Sequence, residues 1–284
     1  MQRQWRGRII VGIACVALLA TGCGGDDDEG GTPSSGNPPT TPPTTEAPVA
    51  EPAAYCTAEA AIEVAPAADT SAAVSDEEVA SVLQTWATQV LQPLVGPVVE
   101  AAPEDISAEI QVMSDAVDEL SATGDATALQ SPDFLAASDT VHAYDLATCD
   151  WTSVPVTTTE YRFEGIPTEL TAGVTSFELE NQGAEPHELR IFRKADGVTT
   201  PAAELLALPE EELVGQAEMV GTGEYADPAD DGYFVADLAA GDYFAACFIP
   251  VGATSDAGPP DPAAPLHHTE GMVVEFTVAE AASG

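Results

Sequence analysis

The chain predicts an α + β protein in two parts, a small helical domain followed by an antiparallel β-sandwich. Three observations carry that expectation. Apolar residues recur at helical spacing through 55–150. Short β-branched and aromatic runs, set apart by turn residues, fill 151–284. A stretch of Gly, Asp, Pro, Thr and Ser with almost nothing to bury precedes both.

From the N-terminus, residues 1–22 read as an export signal. Arg3, Arg6 and Arg8 make a basic start, an apolar run spans Ile9 to Ala20, and small residues precede Cys23. The run is too short for a membrane span. Leu19-Ala-Thr-Gly-Cys23 resembles the bacterial lipobox, with Ala20 where Leu is usual. That resemblance implies that Cys23 becomes the lipid-modified first residue of a chain held on the extracytoplasmic face of the cell membrane. Residues 23–54 then form a disordered tether. Repeated Pro-Pro-Thr-Thr favours extended polyproline conformation, so about 30 residues at about 3 Å each would reach on the order of 90 Å. Its threonines are candidates for glycosylation.

The helical domain is expected over 55–150. Ser75-Asp-Glu-Glu78 has the form of a capping box, and Val79, Val82, Leu83, Trp86 and Val90 follow at helical spacing until Pro93 stops the run. Pro103 opens a second helix carrying Ile106, Ile110, Met113, Val117 and Leu120, with Gly124 beyond its end. A third starts at Ser131-Pro132 and runs into Cys149. Three or four antiparallel helices result. His142, alone on its helix, reads as a surface or packed side chain.

Cysteine usage links the two parts. Cys15 leaves with the signal and Cys23 takes the lipid. In an oxidising compartment Cys56 and Cys149, which bracket the helical domain, are most simply a disulfide. Cys247 remains unpaired. The formal net charge is −41 with seven Lys and Arg, of which Arg3, Arg6 and Arg8 leave with the signal. The four basic residues left, against 48 acidic ones, cannot neutralise a run of phosphates, which excludes nucleic acid as a partner. Such acidity keeps a chain soluble, and at low salt it steers a basic partner.

Within 151–284, strands are expected at Val156–Phe163, Thr175–Glu180, His187–Phe192, Tyr233–Leu238, Tyr243–Ile249 and Met272–Val278. A helical insertion opens at Thr200-Pro201 and runs to Glu212. Cys247 stands near His187 and the segment His267-His268-Thr-Glu-Gly-Met272 in this pattern. Two imidazoles, a thiolate and a thioether are the ligands of a trigonal copper site with a weak axial Met. Ser/His/Asp nucleophile sets, phosphate-binding Gly loops and paired Cys motifs do not occur, so substrate turnover is not expected.

The order of these residues resembles the cupredoxins, the blue-copper family that includes plastocyanin and azurin. Ala172 to His187, with Asn181 in its turn, is similar to the family's strand, turn and first ligand. Gly241-Asp-Tyr243-Phe-Ala-Ala-Cys247 is similar to its approach to the ligand Cys, and His267 to Met272 to its closing segment. Two features differ: residues 251–266 separate Pro250 from His267, and Glu188 follows the first His where Asn is common. The resemblance implies one copper ion held by His187, Cys247 and His267 with axial Met272, one-electron transfer, and a basic redox protein as a partner. Spacing to Met272 selects His267 on a plastocyanin-like pattern and His268 on an azurin-like one, leaving His268 as the alternative ligand. Non-redox copper capture and a metal-free interaction module are the alternative functions.

Overall fold

The computed structural model describes residues 52–254 and 263–281. The expected signal (1–22), the expected lipidation site Cys23 and the expected tether as far as residue 51 lie outside them. Helix α1 (Pro52–Glu63) opens ahead of the expected boundary at 55. A first-position proline has no needed N–H to lose and its fixed φ suits a helix start.

Helix α2 (Asp76–Trp86) is capped by Ser75, whose hydroxyl accepts the Glu78 N–H at 3.3 Å, while Glu78 reaches back to the Val74 N–H at 2.6 Å. The expected stop at Pro93 does not occur. One π-helical turn at Ala87–Leu91 leads directly into α3 (Gln92–Ala101). The wide turn restarts the hydrogen-bond ladder, so Pro93 falls at the beginning of α3, where its missing N–H is tolerated. Pro103 likewise opens a 3₁₀ turn, Glu104–Ile106, and α4 (Ser107–Thr123) begins after it. Gly124 closes α4 at φ 73°, in the left-handed conformation a C-cap favours. Helix α5 (Pro132–Thr148) is capped by Ser131 and ends at Cys149, which is disulfide-bonded to Cys56 of α1. The described residues thus hold five α-helices here rather than three or four. Sequence reading missed α3 because Pro93 and Pro97 stand in it.

The β domain has nine strands: β1 (Thr152–Thr159), β2 (Arg162–Glu164), β3 (Glu169–Thr171), β4 (Gly173–Asn181), β5 (His187–Lys194), β6 (Ala217–Ala226), β7 (Asp231–Leu238), β8 (Gly241–Ala246) and β9 (Val273–Ala279). They form two sheets, ordered β2-β1-β4-β7 and β3-β9-β8-β5-β6. Val154, Val156, Phe177, Leu179, Leu189, Ile191, Tyr243, Phe276 and Val278 fill the core between them. Two pairings, β1 with β4 and β3 with β9, are parallel, so the sandwich is not wholly antiparallel. The excursion through β2 and β3 gives the chain enough length to return in the same direction.

Strand β6 was not among the expected strands. Its Gly221 and Gly223 both sit at positive φ beside a register shift between Leu189 and Ile191. A side chain at 223 would come within 2.9 Å of the Leu189 carbonyl, so the bulge needs glycine there. The insertion after β5 forms two short helices, α6 (Ala202–Leu205) and α7 (Glu210–Leu213), instead of one.

The helical region packs on the outer face of β4 and β7. His142 of α5 is buried there, stacked on Tyr233 with ring centroids 3.4 Å apart and 3.1 Å from Glu178 Oε2. Ser138 and Tyr233 hydroxyls meet at 2.8 Å. Cover on both faces explains why four successive residues of β7, Tyr233 to Ala236, are buried instead of alternating.

Candidate metal centre

His187, Cys247 and His267 come together at one end of the sandwich, all buried, with their ligand atoms within 4.8 Å of one another. Two are delivered by strand ends and the third by a 3₁₀ turn. His187 is the first residue of β5 and Cys247 follows the last residue of β8. His267 begins a 3₁₀ turn that runs into Met272 and β9.

The turn before His187 is built by Asn181. Its amide donates to the carbonyls of Glu185 (2.9 Å) and Ala226 (3.0 Å), and its oxygen accepts the Gly183 N–H (2.8 Å). At β8, Tyr243 stacks on Phe276 and its hydroxyl reaches the Ala239 carbonyl at 2.7 Å. The long separation between Cys247 and His267 is closed at its base. Pro250 pairs with Leu266, Val251 N–H donates to Pro265 O, and His267 N–H donates to Ile249 O. The loop therefore leaves and re-enters at one point, and His267 lies as close to Cys247 as a short connection would place it.

Nδ1 of His187 and Nδ1 of His267 face each other at 3.1 Å, with Cys247 Sγ 3.4 Å from His267 Nδ1. Met272 is fully buried beside them, its N–H donating to His267 O (3.1 Å) and its carbonyl accepting the Cys247 N–H (3.3 Å). His268 turns away from Cys247, its half-buried ring packed on Phe248 at 5.0 Å between centroids.

Glu188 does work that its position after the first histidine demands. Its N–H donates to Cys247 Sγ at 3.4 Å and its Oε1 accepts the Phe248 N–H at 2.9 Å, clipping β5 to the cysteine turn. Arg190 neutralises it at 2.8 Å and lies over the Phe248 ring.

Burial, with His267 next, pushes His187 below the ordinary histidine range and keeps it a neutral imidazole. Burial, with the Glu188 carboxylate second, pushes the Cys247 thiol up to about 12. It stays a thiol until a soft cation takes the proton's place.

The protonation pattern fits a cation. The two rings meet through Nδ1 at 3.1 Å, with room for one proton between them. If His267 Nε2 donates to Glu185 Oε2 at 3.1 Å, that proton belongs to His187. Its Nε2 is then a bare acceptor, and it is indeed buried without a hydrogen-bond partner. A cation on both Nδ1 atoms puts both protons on Nε2, where each faces a carboxylate. The soft sulfur and two imidazoles select copper or zinc over hard cations.

Sequence reading missed two residues at the site. Glu160 and Tyr161 form the turn between β1 and β2. Glu160 Oε1 accepts the N–H groups of Ala184 and Glu185 and stands 3.7 Å from His187 Nε2. The Tyr161 ring lies over His267 at 4.7 Å.

No family model matches the chain, and no match occurs among curated proteins. Solved structures do match. Auracyanin from Roseiflexus castenholzii, reduced with dithionite, is 19% identical over 45% of this chain and 97% of its own, with a TM-score of 0.27. Auracyanin A from Chloroflexus aurantiacus, described as a blue copper protein, is 15% identical over 46% and 99%, with a TM-score of 0.28. McoA multicopper oxidase from Aquifex aeolicus is 16% identical over 46% of this chain and 30% of its own, with a TM-score of 0.27. These likenesses cover less than half of the chain, at TM-scores too low to weigh for any role.

Proposed function

We propose that the chain is a copper-binding electron carrier of the cupredoxin kind, tethered through lipid at Cys23 to the extracytoplasmic face of the cell membrane. One observation carries the copper reading: His187, Cys247 and His267, far apart in sequence, converge their three ligand atoms in a buried pocket next to Met272. When bound, one copper ion supplies one-electron redox chemistry, which thiolate and imidazole ligands support in both oxidation states. The residues supply a frame that need not rearrange. Strand ends and a 3₁₀ turn fix the ligands, Glu188 and Asn181 lock the turns between them, and burial excludes water. No substrate is turned over in this reading, and the acidic surface suits a basic redox protein as partner.

Full burial of His267, whose ring edge is covered by Glu185 and Tyr161, favours a second reading, capture of copper without electron transfer. Addition of Cu(II) to the purified full-length chain separates the two. An intense visible thiolate-to-copper band at one copper per chain, lost in Cys247→Ser and kept with a shifted potential in Met272→Leu, supports the carrier. Tight but colourless binding supports capture, and no binding leaves a metal-free interaction module. Membrane attachment is tested in the native host: Cys23→Ser should release the chain, and unchanged retention overturns the lipid anchor.

A further inference from the structure

The two ligand histidines turn Nδ1 inward and leave Nε2 facing outward, and behind each Nε2 stands a carboxylate. Glu185 Oε2 lies 3.1 Å from His267 Nε2 and also accepts the Gly252 N–H at 2.7 Å, while its other oxygen takes the Tyr161 hydroxyl at 3.3 Å. Glu160 Oε1 lies 3.7 Å from His187 Nε2. We propose that Glu185 and Glu160 are positioning residues of the metal centre, each receiving the outward N–H of one histidine ligand, and that their joint negative charge favours the oxidised ion. This rests on the copper reading above.

The surrounding chain is shaped for these contacts. Gly183 is the residue between Glu160 and His187: a Cβ there would come within 2.6 Å of Glu160 Oε1 and 2.8 Å of His187 Nε2. Any other residue at 183 would wedge the carboxylate from the ring. Glu160 is held by two backbone N–H groups of the same turn that carries His187, so carboxylate and imidazole move as one body. Glu185 is two residues from His187 yet serves His267, tying the two ligand-bearing segments together. An imidazole that donates to a carboxylate is a stronger ligand with a fixed tautomer and ring angle. An anion near a centre that gains positive charge on oxidation stabilises that oxidised state.

The test uses the full-length chain loaded with copper and reads three quantities: affinity, visible spectrum and reduction potential. Glu185→Gln keeps an acceptor oxygen for His267 and removes the charge. The visible band should remain while the balance moves about tenfold toward the reduced ion, a rise of about 59 mV for one electron. Glu185→Ala removes the acceptor as well and should weaken copper binding roughly 10- to 100-fold. Glu160→Gln should shift the potential the same way by less, given its longer contact. Gly183→Ala should reproduce the Glu160→Gln shift without changing any charge. In the reduced, diamagnetic protein, the His267 Nε2 proton should be slow to exchange by NMR, and Glu185→Ala should abolish that protection. A wild type that binds copper but shows no change of potential in both Gln variants and undiminished affinity in Glu185→Ala overturns the proposal alone. A wild type that takes up no copper overturns the copper reading first and this one with it.

Discussion

Acidic side chains are buried in both halves of the molecule and are handled in opposite ways. In the β domain the buried Glu188 receives donors from Arg190 and the Phe248 N–H, and the half-exposed Glu275 from Lys194 at 2.9 Å and the Ala202 N–H. Burial works against the charge of Glu275, yet these donors hold it below the ordinary carboxylate range. In the helical half Glu59 and Asp145 are almost wholly buried, with Glu63 close by. The Tyr55 hydroxyl donates to Asp145 at 2.7 Å. Burial, then the neighbouring acids, pushes Glu59 upward, and burial pushes Asp145 up to about 7. Glu59 and Glu63 line a cavity of about 140 Å³ between the helices and β7, large enough for water. Buried charge with fixed donors holds a geometry; buried acid crowded with acid makes stability depend on pH.

The disulfide gives the largest expected effect on this contrast. Cys56→Ser with Cys149→Ser should destabilise the helical half by roughly 2–5 kcal/mol. Hydrogen exchange read by mass spectrometry should show the loss in α1 to α5 and little in the β core. Equal loss in both would mean that the His142 and Tyr233 contact makes them one cooperative unit. Next comes pH. A carboxyl raised in the folded state binds a proton there that the unfolded chain has released, so stability falls as pH rises from 3.8 to about 7. Asp145→Asn, which still accepts from Tyr55, should flatten that slope in thermal melts and stabilise the helical half at pH 8 by on the order of 1–3 kcal/mol. A slope unchanged by the substitution removes Asp145 as its cause.

The smallest effect comes from the β domain's exception. Glu224 of β6 is buried with neither carboxylate oxygen partnered, and burial pushes it up to about 9. Glu224→Met should stabilise the protein by about 1 kcal/mol. The gain should grow as pH rises from 4.5 toward about 9 and vanish below that window. A loss of stability at pH 8 would sink the idea that Glu224 is a liability.

The cluster of His187, Cys247 and His267 was legible because its residue types are scarce: four histidines and one unpaired cysteine leave few ways to combine them. The carboxylates behind them were not, since 48 acidic residues offer no contrast from which Glu160 or Glu185 stands out. Periodicity found α2, α4, α5 and the strands with branched or aromatic residues. It missed β6, whose pairing with β5 is made by backbone groups around two glycines, and α3, which carries Pro93 in its first turn and Pro97 inside it. His142 gave no signal because its partners, Glu178 and Tyr233, are set by tertiary packing.

The closed neck at Pro250–Leu266 and Val251–Pro265 makes the chain beyond it an address for added mass. Widening a ring already joined at its base costs little, about 0.6 kcal/mol for each doubling of a flexible loop. A reporter or docking peptide spliced between 254 and 263 would hang beside His267 while the neck kept that ring in register with Cys247.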